Sequence, residues 1–232
     1  MSQIVAIGGA RLEPENDRLH NYVLSLVEKP RPKVCFIPTA SGDSDSYIVS
    51  FYESFTTDRC TPSHLCLFDR SVTDLRSFVL AYDVIYVGGG NTANMLAVWR
   101  THGLDDILRD AWNAGVLLCG SSAGAICWFE ASVTDSFGGL RPLSDGLGLL
   151  PGSMCSHYDS EPERRPSFQK FVAEGLVAEG IAADDLVALH FIGPELRDVV
   201  ALDPGATAYR VSSAGGRPVE EAISVRHLDR AQ

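Results

Sequence analysis

Four short apolar runs constrain this chain more than any other feature. Ile4-Val5-Ala6-Ile7, Val34-Cys35-Phe36-Ile37, Val84-Ile85-Tyr86-Val87 and Val116-Leu117-Leu118-Cys119 contain no charged residue, so a strand built from any of them has two faces to bury. Between them lie longer, amphipathic stretches. Asn16 to Glu28 sets Leu19, Tyr22, Val23, Leu26 and Val27 at helical spacing, and Ser46 to Phe55, Asp74 to Leu80, a segment from Asn91 and Leu104 to Asn113 also read as helices. Strands of this kind alternating with helices predict a three-layer α/β fold, a mostly parallel sheet with helices on both faces. At 232 residues the chain fits one such domain, spanning 1–232. His64 to Phe68 is expected to add a strand, and residues 131–166, rich in Gly, Pro, Ser and Asp, are the least regular part. A helix from Phe168 to Glu179 follows. The runs at Leu186–Phe191, Val199–Leu202, Ala208–Val211 and Ala222–Val225 are expected to form an antiparallel edge or a small second sheet.

Sites in such folds lie beyond the carboxyl ends of the strands. Three glycine-marked turns stand there: Gly8-Gly9, Gly88-Gly89-Gly90-Asn91 and Gly120-Ser121-Ser122-Ala123-Gly124. The last follows an apolar strand and precedes a small-residue helical segment, the context that a G-x-S-x-G nucleophile elbow requires. Ser122 is its central serine, lifted off the sheet at a helix N-terminus where developing negative charge is favoured. The plain alternative is a Gly-rich turn with two incidental serines. A serine hydroxyl attacks only when a base takes its proton. Of the six histidines, His20 lies on a helix, His64 opens a strand, His102 follows a helix end and His227 is near the C-terminus. His157 stands in the irregular segment downstream of the elbow and is the candidate base. The acid that would orient it is one of Asp184, Asp185, Asp135, Asp145 and Asp159, and spacing does not choose. The N–H of Ala123 and one from Gly88-Gly89-Gly90 are the candidate oxyanion donors. Gly-Gly-Gly-Asn also resembles a phosphate turn, but it lacks the spacing and the lysine of a P-loop.

The formal net charge of −11, from 19 basic and 30 acidic residues, argues against a nucleic-acid partner. None of the six cysteines forms a C-x-x-C pair, which points to reduced thiols and a cytoplasmic chain without a metal site. No apolar run approaches the roughly 20 residues that span a bilayer.

Together Phe36-Ile37-Pro38-Thr39-Ala40, Val87 to Thr92, Gly120 to Ala125 and Gly152 to Tyr158 resemble the aspartyl dipeptidase (peptidase E) family of serine peptidases, relatives of the cyanophycinases. The resemblance implies a flavodoxin-like fold akin to class I glutamine amidotransferases, with Ser122 as nucleophile, His157 as base and Gly90 as an oxyanion donor. The family's third member is usually a glutamate. Gly180 to Leu189 is similar to the cyanophycinase pattern Gly-Ile-Gly-Ile-Asp-Glu-Asn-Thr-Ala-Leu, and in that register Asp185 takes its place, with Asp184 or Asp159 as substitutes. The resemblance further implies a site role for Asp135 and a substrate with an N-terminal Asp, whose carboxylate Arg164 or Arg165 would read. It implies no cofactor, and as partners a short peptide and at most a second copy of the chain. β-Aspartyl or other amide and ester hydrolysis, or a catalytically silent binding protein of the same fold, are the rival expectations.

Overall fold

The computed structural model describes residues 1–228. Five strands follow the expected rhythm. β1 (Gln3–Ile7) leads through α1 (Asp17–Ser25) to β2 (Lys33–Ile37), and α2 (Asp45–Ser54) leads to β3 (Thr61–His64). From there α3 (Leu75–Leu80) leads to β4 (Val84–Val87), and α4 (Thr92–His102) with α5 (Leu104–Asn113) leads to β5 (Leu117–Ser121). These strands lie parallel in the order β1-β5-β4-β2-β3. Because side chains alternate across a strand, each run feeds two cores. Ile4, Ala6, Cys35, Ile37, Ile85, Val87 and Leu118 pack under α3, α4 and α5. Val5, Ile7, Val34, Phe36, Val84, Tyr86, Leu117 and Cys119 pack under α1 and α2.

After a single turn, α6 (Ala123–Ile126), the chain builds β6 (Phe129–Thr134), β7 (Arg141–Leu143), β8 (Leu150–Cys155), α7 (Arg164–Ala173) and β9 (Gly180–Ala183). It then forms β10 (Val187–Ile192), β11 (Glu195–Ala201), β12 (Ala208–Ala214), β13 (Arg217–Ile223) and β14 (Arg226–His227). β10 pairs antiparallel with β1, and β11 and β14 extend the same edge, completing an eight-stranded sheet. The other strands form a six-stranded sheet in the order β13-β12-β9-β8-β6-β7. The runs at Leu186, Val199 and Ala208 therefore supply both expected structures, an antiparallel edge and a second sheet, while the strand expected at Ala222–Val225 lies earlier, at Arg217–Ile223.

Three other local expectations need correction. The strand expected at His64 to Phe68 is instead Thr61–His64. Pro62 is tolerated there because β3 is an edge strand, and the N–H groups of Leu67 and Phe68 bond to the Asp43 carboxylate rather than to a ladder. Residues 131–166 hold more strand than expected: β6, β7 and β8 pair there, hidden from a periodicity reading by Pro142, Pro151 and Gly152. The helix expected at Phe168 to Glu179 is Arg164–Ala173, with Pro166 inside its first turn and Gly175, at φ +69°, beyond its end. Among the described residues no helix is long and apolar enough to cross a membrane.

Candidate active site

The loops at the carboxyl ends of β1, β4, β5, β8 and β9 converge on Ser122. It sits at φ 56°, ψ −114°, between β5 and α6, in a region that a non-glycine residue enters at a cost of about 1–3 kcal/mol. The turn is held by Ser122 N–H, which donates to Ile7 O at 3.1 Å, and by the absence of side chains around it. A Cβ on Gly120 would lie 2.3 Å from Gly124 O, and one on Gly124 would lie 2.1 Å from Val87 O. The two adjacent serines do different things. Ser121 Oγ accepts from Ala10 N–H at 2.8 Å and donates to Ala10 O, tying the first loop to the elbow. Ser122 Oγ is instead 2.8 Å from His157 Nε2.

His157 follows β8 at φ 55°, its N–H donating to Gly8 O. Its Nδ1 is 2.7 Å from Asp185 Oδ1. Among the five acids that spacing left open, this is the one that meets the imidazole. Asp159 accepts from the backbone N–H of Asp185, and Asp184 turns the other way to accept from Thr207 N–H. Asp145 pairs with Arg100 and Asp135 faces Arg164 at 3.7 Å. The hydrogen bond from His157 holds the Asp185 carboxyl below its ordinary range, against the opposing effect of burial. Burial pushes Asp184 the other way. The histidine and its acid are partly open to solvent, at 22% and 35% side-chain exposure, so a substrate can reach the relay.

Two backbone N–H groups lie in the turns next to Ser122. Gly90 adopts φ +139°, where a Cβ would strike Ala40 O at 2.2 Å, and its N–H makes no hydrogen bond among the described residues. Ala123 is the first residue of α6, so its N–H has no partner within the helix. With one turn, α6 contributes these free N–H groups rather than the summed dipole of a long helix. Neighbouring Gly89 is spoken for, its N–H donating to Tyr47 Oη at 3.1 Å. Asn91 braces the turn: Oδ1 caps α4 through Asn94 N–H, and Nδ2 donates to Ser136 O.

The two arginines carried over from the resemblance are engaged by protein groups. Arg164, only 4% exposed, donates to Glu161 Oε2 and Val133 O beside Asp135. Arg165 bonds to Glu220 and lies over the rings of Tyr158 and Tyr209. Next to them, a cavity of about 730 Å³ is lined by Asp135, Leu140, Ser160, Glu161, Glu163 and Ser167, among others. Ser136 ties it to the Gly90 turn, and Ser160, which bonds to Asp185, ties it to the relay. The sequence reading missed that this cavity is acidic, although Asp135, Glu161 and Glu163 were in plain view.

Comparison with known proteins bears on the family and the fold. Residues 4–199 match the model of peptidase family S51. An uncharacterized peptidase, YgaJ, of Bacillus subtilis (strain 168) is 50% identical over 230 residues, covering 98% of this chain and 100% of the relative. Peptidase E of Shewanella amazonensis is 30% identical over 139 residues, 59% of this chain and 54% of that protein. A peptidase from an acI-B1 Actinobacterium superposes with a TM-score of 0.73 over 97% of both chains at 17% identity. A protein of Listeria monocytogenes EGD-e does so at 0.67 and 22% identity, over 88% of this chain and 100% of that one. The fold is thus the α/β arrangement of peptidase E structures, akin to class I glutamine amidotransferases, and the chain belongs to peptidase family S51.

Proposed function

We propose that the chain is a serine peptidase acting on short peptides through Ser122, His157 and Asp185. The observation that carries this is the unbroken relay, 2.8 Å from serine to histidine and 2.7 Å from histidine to aspartate. His157 Nε2 takes the Ser122 proton as Oγ attacks the scissile carbonyl. Asp185 fixes the tautomer through Nδ1 and stabilises the imidazolium. The N–H groups of Gly90 and Ala123 bind the oxyanion, a donor of this kind being worth roughly 100- to 1000-fold in rate. His157 then protonates the leaving amine, and water repeats the sequence on the acyl-enzyme. Removing the serine tests it: Ser122→Ala protein should lose dipeptide hydrolysis and labelling by an active-site phosphonate. Parent-level turnover in that variant would sink the reading, and binding without labelling of the parent protein would favour a silent receptor.

For the N-terminal residue, Asp is the preference the resemblance carries, with Asp135, Arg164 and Arg165 as its reading groups. The acidic lining of the cavity beside them favours a second reading. Asp135, Glu161 and Glu163 would receive the substrate's amino group and prefer a neutral or basic first residue, while Arg164 holds Asp135 and Glu161 in place. A panel of Asp-X, β-Asp-X, Ala-X and Lys-X dipeptides separates the two, since a kcat/KM highest on Asp-X would rule out the second.

A further inference from the structure

A separate cavity of about 310 Å³ adjoins the serine on the other arm of the site, lined by Ala10, Arg11, Leu12, Tyr47, Ser50 and Gly89 together with Glu13. Its position relative to the relay is set by two glycines. A Cβ on Gly89 would lie 3.3 Å from Ser122 Cβ, and one on Gly9, two residues before Arg11, would lie 2.6 Å from the His157 ring. The cavity shares no lining residue with the acidic one.

Its polar side chains are donors apart from Glu13. The Arg11 side chain is 85% exposed and, among the described residues, pairs only with Glu13, at 3.6 Å, a long contact between two exposed groups that an incoming anion can replace. Tyr47 Oη accepts from Gly89 N–H, which leaves its own proton free, and burial raises its pKa so that the phenol keeps that proton. Ser50 adds a hydroxyl. A guanidinium flanked by two hydroxyls suits a carboxylate.

We propose that Arg11, with Tyr47, receives the free α-carboxylate of the leaving residue, making the chain selective for dipeptides over amidated or longer peptides. The proposal rests on the Ser122 reading. A peptide carries its amine and its carboxylate at opposite ends. The acidic cavity repels the carboxylate and attracts the amine, while Arg11, on exchanging Glu13 for the incoming carboxylate, holds the other end, so the two cavities orient the substrate across Ser122. The other source of a carboxylate, the side chain of an N-terminal Asp, would place the amine and that carboxylate on one residue, at the same end.

The test compares Asp-Leu, Asp-Leu-amide, Asn-Leu and Asn-Leu-amide on the parent enzyme, Arg11→Gln and Arg11→Lys. Amidation should lower kcat/KM of the parent by roughly 10- to 100-fold, the range of a charge-assisted hydrogen bond. Arg11→Gln should lose that factor on the free acids only, and Arg11→Lys should recover part of it. Equal losses on acids and amides would overturn the proposal, as would an Arg11 effect that follows Asp versus Asn instead of acid versus amide. If the parent cleaves neither these four nor the Ala-X and Lys-X dipeptides, the dipeptidase reading falls, and wherever the four are not cleaved the affinities of the same peptides for Ser122→Ala and Ser122→Ala/Arg11→Gln proteins still decide. A preference for the acids that Arg11→Gln erases keeps the carboxylate site, and its absence removes it.

Discussion

Four non-glycine residues among those described have positive φ; two of them, Ser122 and His157, belong to the relay, and a third, Leu186, follows its acid Asp185. Each costs stability, and together they aim three side chains from three separate loops at one another. Residues acting as one unit are not additive. Ser122→Ala and His157→Ala should each lower kcat by on the order of 10⁴-fold or more, with the double variant little worse, measured on the best dipeptide of the panel. Independent, multiplying losses would show that the two do not act together. Gly9 gives a sharper check on geometry. A Cβ there would lie 2.0 Å from Asp185 Oδ1 and 2.6 Å from the His157 ring, so Gly9→Ala must push the acid off the base. Both groups are partly exposed and can swing outward, so the fold should survive. We expect at least a 100-fold loss of kcat with the Tm moved by only a few degrees. Retained activity would mean the relay tolerates displacement. Ser122 and His157 were legible in the sequence as candidates, because an elbow pattern and a histidine in a polar loop are local signals. The partner of His157 was not, since Asp184 and Asp185 are neighbours that point opposite ways only once β9 and β10 fix the backbone between them.

At the scale of elements, the apolar strands announced themselves and the polar ones did not. β4 and β5 are continuous apolar runs because both faces are covered, whereas β3, Thr-Pro-Ser-His, lies at an edge and needs no such pattern. The loop after β1 carries no periodicity at all, which is why Arg11 gave no signal until the fold set it beside Gly89. One element links architecture directly to chemistry. Asn91 both caps α4 and ties the Gly90 turn to Ser136. Asn91→Ala should cost about 1–2 kcal/mol through the lost cap and also lower kcat by releasing the oxyanion turn. Asn91→Asp keeps the acceptor that caps the helix but loses the donor to Ser136 O. It should therefore regain most of the Tm and little of the kcat. If both properties recover together, the brace to Ser136 has no part in positioning Gly90.

For the whole molecule, the two sheets are joined by a common core. Leu150, Met154 and Ile181 of the second sheet share one core with Ile85, Leu118 and Trp99, so we expect a single unfolding transition reported alike by circular dichroism and tryptophan fluorescence. The opposite core carries a built-in acid weakness. His20 is fully buried between Phe55 and Tyr86, with Nε2 unpartnered and Nδ1 only 3.4 Å from Asp17. Burial lowers its pKa from 6.5 to about 4, outweighing the attraction of Asp17. The folded chain thus keeps His20 neutral while the unfolded chain binds a proton below its ordinary pKa, so stability falls as pH drops from about 6.5 and the loss is complete near pH 4. Summed over that window, the effect is about 3 kcal/mol. Urea unfolding at pH 7 and at pH 4.5 should show this loss in the parent, and His20→Leu should show a smaller one by most of that amount, whatever its stability at pH 7. Parallel losses in the two proteins would place the acid sensitivity elsewhere, with His190, whose pKa burial also lowers, as the group to change next.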